Sequence, residues 1–132
     1  MYLLDTDTVI AMLRGQYGIQ QKVISVGFDA CGISEITLAE LYTGAFKSGI
    51  EKDFGQAEFA ATHFPIYAIG DILKTYARNR AALERSGSRL DSMDLLIAAT
   101  ALEYDLFLVT GNVKHFSRIP CLRIENWIES CR

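Results

Sequence analysis

Three acids far apart in the chain, Asp5, Glu40 and Asp94, are the side chains whose types and settings could do chemistry together. Asp5 closes the short apolar run Tyr2-Leu3-Leu4, and Asp94 stands at the entrance of an apolar rod that begins at Leu95. A second apolar run, 106–110, ends in Thr110, Gly111 and Asn112. If these positions meet on one rim, three unneutralised carboxylates repel each other at close range. Oxygen ligands without Cys or His suit a hard cation such as Mg²⁺ or Mn²⁺. A bound divalent ion can activate a water and offset charge on a phosphodiester, so the chemistry allowed is metal-assisted hydrolysis. No P-loop, nucleophile elbow or Cys–His pattern competes.

Two of the acids also have a plain structural reading. Asp94 falls in a first helical turn, where any Asp meets free backbone N–H groups and the positive end of the dipole. Glu40 lies opposite the stripe Leu38, Leu41, Tyr42 and Ala45, and periodicity by itself makes it a solvated surface acid.

The segment that must position Asp94 is 90–112, LDSMDLLIAATALEYDLFLVTGN. Asp91 and Asp94 make its opening turn acidic. Leu95, Leu96, Ile97, Ala98, Ala99, Ala101 and Leu102 leave no polar stripe at helical spacing, which predicts a buried helix feeding a buried strand at 106–110. Asp94 shares a wheel stripe with Ile97, Ala98 and Ala101, and a charge on a packed face is costly unless paired.

At the other end, a strand beginning at Tyr2 stops at D-T-D-T, where a helix carrying Val9, Ile10, Met12 and Leu13 starts. After Gly15 and Gly18 come a helix at 19–26, a strand at 30–33 and a helix at 35–46 with Ser34 as N-cap. A helix at 50–62, an extended segment at 64–67 and a helix at 71–85 follow, the last with Ile72, Leu73, Tyr76, Ala77 and Leu83 facing in and Gly87 ending it. One turn at 113–116, an edge strand at 122–124, and Trp127 and Ile128 covering the sheet end complete the chain. Strands separated by helices predict an α/β fold of three layers, one domain over 1–132. In such sheets ligands bind beyond the carboxyl ends of the strands, which is where Asp5, Glu40, Asp94 and Asn112 would converge.

Half the residues are apolar and the net charge is −3, so a polyanion needs a local basic patch rather than the whole surface. Cys31, Cys121 and Cys131 show no C-x-x-C or framework spacing, which suits a reducing interior with Cys31 a small core residue. The start MYLLDTD has no basic n-region, and no apolar run approaches the roughly 18 residues of a membrane span. A soluble cytoplasmic protein is expected.

Four segments, MYLLDTDTVI, SEITLAELYTGA, DLLIAATALEYDLFLVTGN and HFSRIPCLRIENW, resemble in this order and spacing the PIN-domain ribonucleases, and closely the VapC toxins of bacterial and archaeal toxin–antitoxin pairs. The resemblance runs nearly end to end. It implies a PIN-like α/β/α sandwich around a short, mainly parallel sheet, and a Mg²⁺- or Mn²⁺-dependent endoribonuclease. Asp5, Glu40 and Asp94 match the three regular acids, with Asp5 and Asp94 first as metal ligands. Thr6, Thr110 and Asn112 match supporting positions, and Asp7 stands where relatives often have Asn. Many relatives carry a fourth acid near Asn112 or His115; here those positions are amide and imidazole. Either a second metal binds only with RNA phosphate oxygens, or Asp91 or Asp7 substitutes.

The likeness further implies a homodimer and a cognate VapB antitoxin, forming a hetero-oligomer, whose C-terminal segment lies in a groove and obstructs the cleft. The helix 50–62, with Phe54, Phe59 and Ala60, is a candidate wall of that groove, though its apolar residues also read as core. For RNA contact the basic residues are Lys74, Arg78, Arg85, Arg89, Lys114 and Arg118, with His115 beside them. A solvated helix face explains the first set equally well, and a His next to Phe116 also reads as a surface residue.

Two rivals stand beside this reading. L-L-D-T-D-T-V fits the D-x-D-x-[TV] start of haloacid-dehalogenase-like phosphatases, but Lys114 has no acidic pair behind it as that mechanism requires. A degenerate PIN fold that only binds RNA or a protein partner is the other. Retention of three mutually repelling carboxylates argues against it.

Overall fold

Short apolar runs bounded by Asp, Ser or Thr alternate with helical periodicity, and the computed structural model, which describes residues 1–130, turns this alternation into βα units. Cys131, counted among the cysteines above, lies outside the described residues. In chain order the elements are β1 (Tyr2–Leu4), α1 (Thr6–Leu13), α2 (Ile19–Val26), β2 (Cys31–Ser34), α3 (Glu35–Ser48), α4 (Glu51–His63), β3 (Ile66–Tyr67), α5 (Leu73–Arg85), α6 (Ser92–Glu103), β4 (Phe107–Val109), α7 (Val113–Phe116), β5 (Ile124–Glu125) and α8 (Trp127–Ser130).

The sheet runs β3-β2-β1-β4-β5 and every pairing is parallel. The chain winds outward from β1 to β3, then returns to the other side of β1 for β4 and β5. The resulting switch point opens a crevice beyond the carboxyl ends of β1 and β4, the expected place for a ligand in a doubly wound sheet. Strand side chains alternate between two cores. Leu4, Cys31, Ile33 and Val109 pack with residues of α1, α2 and α4 on one face. Leu3 and Leu108 pack with Leu83, Leu95, Ile97, Ala98, Ala101 and Phe116 on the other. Each fully buried Leu or Ile contributes about 1.5–3 kcal/mol. A one-residue slip of β1 would exchange its two faces, so the register that places Asp5 is strongly specified.

Helix α6 is buried nearly all round, as its composition predicts, and its one internal polar residue, Thr100, turns its hydroxyl back to the Leu96 carbonyl at 2.9 Å. Ser34 caps α3 by accepting from the Ile36 N–H at 3.0 Å. That helix continues past the expected Phe46 to Ser48, because left-handed Gly49 is what stops it. Gly32 must be Gly, since a Cβ there would run into the Tyr67 ring on the neighbouring strand.

Three expectations are corrected. Leu73 and Ala77 are exposed rather than facing in, because α5 presents Tyr76 and Leu83 inward after a short 3-10 turn, Gly70–Ile72. The last strand sits at Ile124–Glu125 rather than 122–124, the chain being still in a turn at Leu122, whose N–H reaches the Ile119 carbonyl. The central strand 106–110 shortens at both ends. Leu106 N–H closes the end of α6 on Ala101 O at 2.8 Å, and Thr110 N–H bonds to Glu125 O at 3.0 Å beyond the strand proper.

Candidate active site

Asp5 leaves β1 at the centre of the sheet and is the N-cap of α1. Its Oδ1 accepts from the Thr8 N–H at 2.9 Å, while its own N–H ties it to Val109 O at 3.0 Å. The carboxyl is 6% exposed. Burial pushes its pKa up, the Thr110 and Thr8 hydroxyls and the Thr8 N–H pull it back, and the charge of Asp7 adds to the rise. Thr110, fully buried after β4, also accepts the Asn112 N–H at 3.0 Å, so one hydroxyl links Asp5 to the following turn.

Glu40 is not the solvated acid that periodicity describes. It is half-buried, and its Oε1 accepts from the Thr6 hydroxyl at 2.6 Å. Thr6 Oγ lies 3.1 Å from Thr37 Oγ. Because the single Thr6 proton goes to Glu40, Thr37 must donate to Thr6, a chain Thr37→Thr6→Glu40. The reason for the miss is that α3 is covered on more than one side, by α4, α1 and α6, so one core stripe does not describe it. The buried Thr37, three residues before Glu40, was the available signal. Burial raises the pKa of Glu40, the Thr6 hydroxyl lowers it, and the charges of Asp94, Asp91 and Asp7 raise it again.

Asp94 sits in the first turn of α6, with Asp91 as N-cap accepting from the Met93 and Asp94 N–H groups at 3.1 and 3.3 Å. Its Oδ2 lies 3.1 Å from His115 Nε2. Arg118 Nη2 is 2.9 Å from His115 Nδ1. A guanidinium only donates, so Nδ1 accepts and Nε2–H donates to Asp94. Burial raises the pKa of Asp94, the hydrogen bond from His115 lowers it, and the charges of Asp91 and Asp7 raise it. Exposed Asp7 is thus the charge that Asp5, Glu40 and Asp94 all feel.

Sequence reasoning missed Arg80. Its guanidinium donates to Leu90 O at 3.3 Å, to Ser92 Oγ at 2.7 Å and to the Tyr76 hydroxyl at 3.1 Å, and so pins the segment that delivers Asp91 and Asp94. The i, i+4 pair Tyr76 and Arg80 was its only signal. Lys74, Arg78 and Arg85 are exposed on the side of α5 opposite Tyr76 and Leu83, and Arg89 is exposed in the loop before α6. Exposed Lys114 and Arg118, with Asn112, His115 and Ser117, line an open depression of about 610 Å³.

Among the described residues no three Asp, Glu, His or Cys side chains lie close enough to hold one ion between them. Each acid is tied instead to a local donor: Asp5 to Thr8, Glu40 to Thr6, Asp94 to His115. The donor set still fits a hard cation. Asp5, Glu40 and Asp94 are partly desolvated carboxylates, and Mg²⁺ takes only one or two such ligands, completing its shell with water and substrate phosphate.

On the other side of α1 an apolar groove of about 650 Å³ is lined by residues that include Met12, Leu13, Ile24, Phe28, Gln56 and Phe59. Of the three expected wall residues only Phe59 lines it. Ala60 is core, and Phe54 packs edge-on against Phe46 at 4.9 Å. Leu13 and Gln56 also line a smaller hollow that reaches Glu40, so the groove and the Glu40 hollow share a wall. No helix among the described residues is long and apolar enough to cross a membrane.

The PIN domain model matches residues 2–120. The chain is 32% identical to ribonuclease VapC2 of Haemophilus influenzae, covering 96% of this chain and 98% of that one. It is 32% identical to the tRNA(fMet)-specific endonuclease VapC of Salmonella typhimurium, covering 96% and 97%. Its fold is similar to that in the crystal structure of DNA-bound VapBC from Salmonella typhimurium, with TM-score 0.89 at 31% identity over 96% of this chain and 97% of that one. With a matching model over most of its length and full-length relatives above 30% identity, the chain belongs to the PIN-domain family, among its VapC-type members.

Proposed function

We propose that this single domain is a Mg²⁺- or Mn²⁺-dependent endoribonuclease toxin, held in check by a VapB-type antitoxin. What supports the reading is placement: Asp5 directly follows the central strand β1, Asp94 opens α6, and Glu40 is bonded to Thr6 next to Asp5, with Asp7 close enough to add its charge to all three. Asp5 and Asp94 are the first ligands for the ion, and Glu40 acts through water. The ion, when bound, supplies a water of lowered pKa and neutralises charge on the phosphodiester.

The chain's own residues do the rest. Thr8 and Thr110 orient Asp5, His115 orients Asp94, and the Thr37–Thr6 chain leaves Glu40 Oε2 free to take a proton from the attacking water. Asp7 and Asp91 add negative charge that draws a cation to the rim. The groove of Met12, Ile24, Phe28 and Phe59 takes an apolar antitoxin segment, and a segment that runs on past the wall of Leu13 and Gln56 into the Glu40 hollow obstructs the crevice. A homodimer assembling with antitoxin into a hetero-oligomer is part of the same proposal.

The test is cleavage of purified RNA in Mg²⁺, Mn²⁺ and EDTA by wild type, Asp5→Asn and Asp94→Asn. Cutting that requires the ion and both carboxylates supports the proposal. RNA that is bound but never cut in either metal would leave a binding module in its place.

A further inference from the structure

We propose that the depression lined by Asn112, Lys114, His115, Ser117 and Arg118 seats a backbone phosphate of the RNA substrate beside Asp94; this rests on the ribonuclease reading and names where the strand enters. The chain carries net charge −3 and its crevice gathers Asp5, Asp7, Glu40, Asp91 and Asp94, so an RNA strand meets repulsion there unless cations stand close by.

The structure sorts the candidate cations. Lys74, Arg78 and Arg85 project from the face of α5 opposite the one packed on α6, the helix that carries Asp94. Arg80 is committed to Leu90, Ser92 and Tyr76, and Arg123 to Asp105 at 2.9 Å. Arg118 is different. It is joined to Asp94 through the single imidazole of His115, so its charge lies on the rim itself. Its Nη2 and Nε are held by His115 Nδ1 and the His115 carbonyl, which fixes the guanidinium plane and leaves further N–H donors for an anion. Lys114, exposed on the same turn, and the Asn112 amide complete a donor set without a carboxylate. A phosphate held by a planar fork and an ammonium is a recurrent arrangement. On this side the rim is therefore positive, while the other side is acidic. A strand would lay one phosphate on Arg118 and Lys114 and carry the next over Asp94.

The experiment is fluorescence anisotropy of a labelled single-stranded RNA oligonucleotide of mixed sequence, in EDTA so that nothing is cut, between about 50 and 200 mM salt. Lys114→Ala and Arg118→Ala should each weaken binding about three- to tenfold and lower the slope of log affinity against log salt by about 0.7. Arg118→Lys should restore most of that slope, because charge rather than the hold on His115 sets it. Lys47→Ala, on the far end of α3, should change neither. A wild-type slope in the Lys114→Ala/Arg118→Ala double variant overturns the subsite while leaving the ribonuclease reading intact. So does a slope lost instead in Lys74→Ala/Arg78→Ala, which would move the strand to α5. A wild-type protein that neither binds nor cuts RNA overturns both.

Discussion

Replacing Asp5 separates its two duties, capping α1 and carrying a buried charge. Asn keeps the size of the side chain and the Oδ1 that accepts the Thr8 N–H at 2.9 Å, and Asn caps as well as Asp does. Asp5→Asn therefore keeps the cap but removes the charge held at 6% exposure together with one acceptor oxygen, and relief of the charge is the larger effect because the Thr110 and Thr8 hydrogen bonds compensate its cost only in part. Asp5→Ala removes the charge and also the cap, a loss of about 1 kcal/mol, which for a chain of this size is about 3–6 °C in Tm. In EDTA at neutral pH the Asn variant should melt above wild type, and the Ala variant about 3–6 °C below the Asn variant. Adding Mg²⁺ at about one hundred times its Kd should then stabilise wild type by about 2.7 kcal/mol and either variant far less. Circular-dichroism melts, with NaCl matching the ionic strength, provide the measurement. An Asn variant that melts several degrees below wild type without metal, or one that gains as much from Mg²⁺, would show that Asp5 is a cap and nothing more.

Other outcomes follow from the same geometry. Asp94→Asn should cut the rate of RNA cleavage about 10²–10³-fold, and Glu40→Gln about 10–100-fold if it works through water, both read in initial-rate assays with far-UV spectra unchanged. The advantage of Asp5→Asn over wild type should depend on pH. A carboxyl whose pKa is raised by folding is penalised above its folded pKa and relieved as pH falls toward its ordinary value. In urea melts without metal the gap between the two proteins should thus shrink as pH is lowered, and a gap that widens refutes it. Ile24→Glu, at a side chain 69% exposed in the apolar groove, should change stability by less than about 0.5 kcal/mol while weakening the antitoxin complex about tenfold or more in calorimetric titration. Gly32→Ala should cost about 1–3 kcal/mol in a urea melt, because its Cβ meets the Tyr67 ring.

Periodicity and punctuation in the sequence determine the element order closely. The helix Ile19–Val26 has the expected bounds, Ser34 caps as read, and α6 is buried as its composition demands. The reason is that these features are local, set by side-chain period, caps and the absence of any polar stripe. The parallel sheet was equally legible, since short connections through helices permit little else.

What the tertiary structure alone decides is company. Glu40 reads as surface on a wheel and becomes half-buried because the start of α1 brings Thr6 against it, where Thr37, one turn earlier on α3, holds Thr6 in place. His115 reads in the sequence as an RNA contact or a surface residue, and the turn after β4 brings it to Asp94 and sets Arg118 behind it. Of seven basic or imidazole candidates for RNA, sequence alone ranked none, and the packing of α5 on α6 turned Lys74, Arg78 and Arg85 away. A one-dimensional pattern records which face of an element is apolar. It does not record which second element covers the rest, and for a site built from the ends of β1, α3, α6 and β4 that is the information that matters.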